Sequence, residues 1–273
     1  MQANSRWTAP RGVLGRLTAA ANERASLLDT RHDVLIAAAR ALPPPPSLAS
    51  ALRGPAVSVI AELKRGSPSK GMIAPGLDAP LRAREYVRGG AAALSILTEE
   101  ESFGGSNADL VGARASVSVP LLRKDFHMRP VQLAEARALG ASAALLIVRA
   151  IAPAALAEMV LTAAELDLEV VLEVRDEVEL ERALELGCRL IGVNNRNLET
   201  LEVDRDTAAR LIPLIPADRI AIFESGIRNV ADVREAAATG TDAMLVGSTL
   251  SLADDGERAV RELCGVARVD RGA

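Results

Sequence analysis

Three carboxylates and two amines interrupt otherwise apolar stretches of this chain. Glu62 and Lys64 stand in Val57-Ser-Val-Ile-Ala-Glu-Leu-Lys64 and Lys124 in Leu122-Arg-Lys-Asp-Phe126. Glu173 stands in Val170-Val-Leu-Glu-Val174 and Glu224 in Ile222-Phe-Glu-Ser-Gly226. Charge in apolar segments is costly to bury unless it is paired or put to use. A lysine amine can be tuned to give and take a proton, which an arginine guanidinium cannot do. That difference carries weight here, because the chain has three lysines (Lys64, Lys70, Lys124) against 29 arginines. Lys70 fits a solvated loop equally well, whereas Lys64 and Lys124 end apolar runs. The set supports general acid–base chemistry, and the competing reading is a structural ion-pair network.

These residues need elements to position them. Short, β-branched-rich apolar runs begin near Val57, Ala92, Val119, Ala143, Glu169, Arg189, Arg219 and Asp242. Most lead into Ala/Leu/Glu-rich stretches with helical spacing, such as Pro130–Leu139, Pro153–Leu166, Glu177–Leu186 and Val230–Ala238. Gly140, Gly187 and Gly240 sit just past three of them, where helices stop. Runs buried on both faces and alternating with helices predict a parallel sheet. Eight such units predict an α/β fold, a single closed (β/α)8 TIM barrel over 57–273. Residues 1–56 read as an N-terminal helical extension packing on the barrel, with helices over Val13–Leu28 and Val34–Leu42 ended by Pro43–Pro46.

In such barrels, function sits at the C-terminal ends of the strands, where all five charged residues fall. Two-residue spacing on a strand puts Glu62 and Lys64 on one face, toward the mouth. Ser225-Gly226 and Gly247-Ser248 follow the last two strands, a common place for a phosphate. The residues thus predict an enzyme acting on a phosphorylated small molecule. His32 falls in the N-terminal extension and His127 in a loop, so histidine is not expected to carry the chemistry. No metal site is expected, since HxH, HExxH and CxxC are absent, and Cys188 and Cys264 are expected as buried helix or strand residues. A net charge of −4 with 2% aromatics argues against nucleic acid, and the apolar runs are too short to span a membrane. The expected location is the cytoplasm, and two cysteines fit a reducing compartment.

Longer motifs then carry a resemblance. Ile60-Ala-Glu-Leu-Lys-Arg-Gly-Ser-Pro-Ser-Lys-Gly71, Leu94-Ser-Ile-Leu-Thr-Glu99, Leu122-Arg-Lys-Asp-Phe126, Ile191-Gly-Val-Asn-Asn-Arg196 and Glu224-Ser-Gly-Ile227 resemble, in order, the motifs of indole-3-glycerol phosphate synthase. The resemblance runs from about residue 55 to 251 and implies closure of the indole ring in tryptophan biosynthesis without a cofactor. The implied substrate is 1-(2-carboxyphenylamino)-1-deoxyribulose 5-phosphate, and the implied products are indole glycerol phosphate, CO2 and water. By the same resemblance Lys124 is the general acid, and Glu173, beside Asn194, is a base or cation stabiliser. Glu62 and Lys64 serve placement and dehydration, and Glu224 is a further carboxylate. Ser67 and Arg196 would hold the substrate carboxylate, and Ser225, Gly226, Gly247 and Ser248 the phosphate. Phe103, Phe126, Leu145 and Leu198 would line the slot for the aromatic ring. Ser102 and Phe223 depart from the family pattern, and Phe223 is expected to point away from the mouth. A related phosphoribosylanthranilate isomerase barrel or a retired barrel fits less well, because neither needs this set of charges. The expected assembly is a monomer or weak homo-oligomer that contacts other tryptophan-pathway enzymes.

Overall fold

The computed structural model describes residues 7–271. Among them, eight parallel strands close into a barrel: β1 (Ser58–Leu63), β2 (Ala93–Leu97), β3 (Leu121–Lys124), β4 (Ala143–Ile147), β5 (Glu169–Val174), β6 (Leu190–Asn194), β7 (Ile220–Glu224) and β8 (Ala243–Val246). Each pairs with its neighbours in sequence, and β1 pairs with β8 to shut the ring. The strands are buried almost throughout, which is why they read as apolar runs without alternation. β3 starts at Leu121, later than the expected Val119, because Pro120 has no N–H to give and enters the ladder only through its carbonyl, which accepts from Leu94 N.

The helices follow the spacing closely: Pro130–Ala138, Pro153–Glu165, Glu177–Glu185 and Val230–Ala238. Gly140 and Gly240, just past two of them, adopt φ of +91° and +85°, the left-handed geometry that ends a helix most cheaply in glycine. Asp176 caps the helix Glu177–Glu185, and Asn229 caps Val230–Ala238.

Before β1, the helices α1 (Gly12–Leu28) and α2 (His32–Ala41) pack on the helix Pro130–Ala138. α1 is tied down by charge at both ends. Glu199 accepts from Arg11 N and from Arg149 at 2.8 Å each, while Arg24 reaches Asp125 at 3.5 Å. At the opposite end of the barrel, buried Asp242 pairs with Arg268 and Arg271, both at 2.6 Å, closing the floor.

The cysteine expectation is corrected. Cys188 lies in the turn before β6 and Cys264 in the turn after the helix Gly256–Arg261, both half-buried. Cys264 Sγ faces the carbonyls of Gly89 and Gly90, where the helix Ala79–Arg88 leaves acceptors unused. Phe223 is buried and contributes nothing to the cavity wall around Glu224, in keeping with an outward side chain.

Candidate active site

Inward positions at the strand ends bring the five charges into two adjoining groups. Lys64 Nζ lies 2.8 Å from Glu62 Oε1. Lys124 Nζ lies 3.1 Å from Glu173 Oε2 and 3.4 Å from Glu224 Oε2. Asn194 holds the set in place: its Nδ2 donates to Glu173 Oε1 at 3.0 Å, while its Oδ1 accepts from Arg196 N and Ser225 Oγ, both at 2.9 Å. The carboxamide orientation is fixed by those partners on both ends.

Burial alone would make Lys124 a stronger acid, but Glu173, Glu224 and Glu62 outweigh it and hold its proton more tightly than usual. Burial therefore does not free this amine. Without substrate the lysine is a fully loaded ammonium, a donor charged in advance. Glu224 goes the other way. Burial, reinforced by Glu173 and Glu62 and opposed by Lys124, pushes its carboxyl up to about 8. Glu224 Oε1 has no hydrogen-bond partner among the described residues.

The reason lies across the sheet. A Cβ on Gly192 would overlap Glu224 Oε1 and lie 3.3 Å from Val171 Cγ1. Gly192 is the β6 residue registered against Glu173, so its missing side chain opens the dry slot that the Glu224 carboxyl fills. Gly247 does the same for the other group. A Cβ there would overlap Glu62 Oε1 and lie 2.9 Å from Lys64 Nζ. Neither glycine reads as a positioning residue in the sequence, because the space each leaves belongs to a side chain on the next strand.

A cavity of about 1080 Å³, counting its open mouth, covers this arrangement. Its wall contains Glu62, Lys64, Lys124, Asn194 and Glu224, together with Ser67, Phe103, Phe126, Leu145, Arg196, Leu198, Ser225, Gly226, Gly247 and Ser248. The Phe103 and Phe126 rings stand 6.3 Å apart at one side of it. Glu173 is the exception: it reaches Lys124 from behind and faces a second cavity. Val13 and Leu17 of α1 also line the main cavity and were not singled out in the sequence, since helical periodicity does not say what its apolar face will cover. Ser225 takes φ +68° and Gly226 φ +100°, so the turn after β7 is held in a strained conformation at the mouth.

His127 lies in the loop after β3, as expected, but it is buried. Its Nδ1 lies 2.8 Å from the Leu145 carbonyl, which requires the proton on Nδ1. Burial and then Arg123 push its pKa down to about 4 against the pull of Asp125, the Leu145 carbonyl and the backbone at Asp125. Between about 4 and the ordinary 6.5, the unfolded chain binds the proton that the folded one refuses. The stability held by neutral His127 is thus complete above about 6.5 and lost as pH falls toward 4. Melts of wild type and His127→Asn at several pH values should show a flatter acid loss in the variant, and parallel curves would contradict this.

A sequence model described as indole-3-glycerol phosphate synthase matches residues 17–263. The chain belongs to the indole-3-glycerol phosphate synthase family. The synthases of Mycobacterium avium and Rhodococcus jostii are each 48% identical to it over 227 residues, covering 83% of this chain and 84% of theirs. Membership in the indole-3-glycerol phosphate synthase family makes the chain a decarboxylating lyase of tryptophan biosynthesis. Solved structures add the fold alone. The 3-hexulose-6-phosphate synthase of Salmonella typhimurium superposes with a TM-score of 0.60 at 14% identity, covering 76% of this chain and 96% of that one. The thiamine phosphate pyrophosphorylase of Pyrococcus furiosus gives 0.57 at 17% identity, covering 80% and 96%.

Proposed function

We propose that Lys124 is the proton donor for ring closure of 1-(2-carboxyphenylamino)-1-deoxyribulose 5-phosphate in this mouth. The observation that carries the reading is the Lys124 ammonium, held between Glu173 and Glu224 at the edge of a cavity with an aromatic side. Attack of the aromatic carbon on the ketone builds negative charge on the ketone oxygen, and a charged amine beside it supplies the proton. Once Lys124 has given its proton, the Glu173 carboxylate behind it, fixed by Asn194, is left as a negative charge that stabilises the cation formed on the ring nitrogen until CO2 leaves. Dehydration then removes the new hydroxyl with a proton from Lys64 while Glu62 takes the adjacent C–H proton. Glu224 is a further carboxylate of the mouth, paired with Lys124 and raised in pKa by its burial.

The substrate carboxylate goes to Arg196 and Ser67. The Arg196 guanidinium is oriented by donating to the Leu201 carbonyl at 2.7 Å, leaving other donors for a planar anion. The aromatic ring lies among Phe103, Phe126, Leu145 and Leu198, and the phosphate at Ser225, Gly226, Gly247 and Ser248. Mixing the pure protein with this substrate and following indole fluorescence tests the assignment. A rise in fluorescence that disappears with Lys124 supports it, and an unchanged rise in the Lys124 variant removes it.

The double position of Gly247 yields a sharper expectation. A residue gripping only the phosphate would change KM and leave kcat alone. Because a side chain at 247 also overlaps the Glu62–Lys64 pair, Gly247→Val should raise KM and lower kcat together, each by about tenfold or more. Steady-state kinetics decide it, and a pure KM effect would confine Gly247 to the phosphate.

Residues 1–56 act as an extension whose α1 roofs the mouth, supported by Val13 and Leu17 in the cavity wall, and 57–273 is the catalytic barrel. A monomer or weak homo-oligomer fits large exposed apolar side chains scattered over separate elements, such as Leu27, Leu161 and Leu252. Contact with other tryptophan-pathway enzymes and a cytoplasmic location go with the biosynthetic role. Among the described residues no helix is long and apolar enough to cross a membrane.

A further inference from the structure

The proposed reaction consumes one proton per turnover. The substrate carries a carboxylate and a phosphate, while the products keep the phosphate and release neutral CO2 and water. One proton goes to the ketone oxygen and one to the departing hydroxyl, and only one returns, from the C–H beside the ring nitrogen. The deficit must come from solvent while substrate fills the main cavity.

A second cavity, about 520 Å³ with its open mouth, lies behind Glu173. Exposed Asp176 lines its outer end and Glu173, 3% exposed, its inner end. Glu179, 6% exposed, stands in the same wall. A polar cavity of this size has room for ordered water. Glu179 Oε2 accepts from Arg175 N at 2.8 Å, and Glu179 N donates to Asp176 Oδ1 at 2.8 Å. The other charged groups facing the cavity are Arg149 on the turn after β4, Arg175, and Arg196 and Glu199 from the loop after β6. Arg149 and Glu199 pair at 2.8 Å. Burial, reinforced by Asp176 and Glu173 and opposed by the Arg175 N–H and Arg149, pushes the Glu179 carboxyl up to about 7.

We infer that this cavity is the proton inlet of the site, with Glu179 as the relay that reloads Lys124 through Glu173. Glu179 passes its proton through cavity water to Glu173, Glu173 passes one to the neutral Lys124 amine, and bulk solvent recharges Glu179. Only bonds to the moving proton change. Glu179 touches no reacting atom and acts through Glu173. The inference rests on Lys124 as the proton donor.

Glu179→Gln separates the relay from the helix cap, because the amide oxygen still accepts from Arg175 N but cannot titrate. With enzyme in excess, the first turnover should keep its rate within about twofold, since Lys124 starts loaded. Multiple turnover at neutral pH should fall by about tenfold, and added imidazole or acetate should restore it. Glu179→Asp should recover most of the rate. Unchanged multiple turnover, or equal loss in both regimes, would overturn the relay. If the Gln variant melts too early to assay, wild type above about pH 8 is the readout, with Glu179 mostly empty. Its turnover must then rise with small-acid buffer, and insensitivity overturns the inlet. A first turnover that survives Lys124→Arg would instead remove the donor on which the relay depends.

Discussion

Lys124→Arg should be nearly inactive, with kcat lower by about 10²–10⁴-fold, although the charge is kept. A guanidinium can still pair with Glu173 and Glu224, so the fold should hold. It cannot release its proton near neutrality, and its planar fork pairs through separate nitrogens instead of setting one nitrogen 3.1 and 3.4 Å from the two carboxylates. Single-turnover measurement with a parallel melt is the check. Near-normal turnover in a folded variant would show that another group protonates the ketone.

Glu62→Gln should lose activity by a similar factor, about 10² or more, while its melting temperature moves little. A structural pair predicts otherwise. Breaking a buried ion pair leaves an uncompensated charge and costs about 3–5 kcal/mol. Here Lys64 borders the open main cavity, and the amide oxygen of Gln can still accept from Nζ at the 2.8 Å position of Glu62 Oε1. What the amide cannot do is take a proton from the ring-closed intermediate. A denaturant melt beside single-turnover kinetics separates the two, and a large midpoint shift with retained turnover would make Glu62 and Lys64 part of the scaffold.

The chain announces the barrel because parallel strands buried on both faces must be apolar runs, and glutamate or lysine in such a run stands out. Glu62, Lys64, Lys124, Glu173 and Glu224 were legible for that reason, and the family motifs supplied their neighbours. The slots behind Gly192 and Gly247 were not, because a vacancy on one strand has meaning only against the side chain that the next strand leans into it. The loaded state of Lys124 was hidden for a related reason. Burial and three carboxylates pull its proton in opposite directions, and only their placement decides the sign. Glu179 stands in the first turn of the helix Glu177–Glu185, where an acidic residue draws no notice, and only the cavity joining it to Glu173 gives it further meaning.

The pairing of β1 with β8 also governs how the molecule is made. During synthesis β1 emerges well before its partner β8, with the other six strands between them. Until then β1 and the newest strand are open edges, the kind of surface that invites pairing with another chain. Nearest-neighbour units can form as they emerge, but the ring can shut only after translation of β8, across a contact of very long sequence separation. Glu62 and Gly247 lie at that same seam, so the Glu62–Lys64 pair gains its seat only when the ring shuts. A nascent chain stalled before β8 can contain most of the helices and strands and still be unable to dehydrate its substrate.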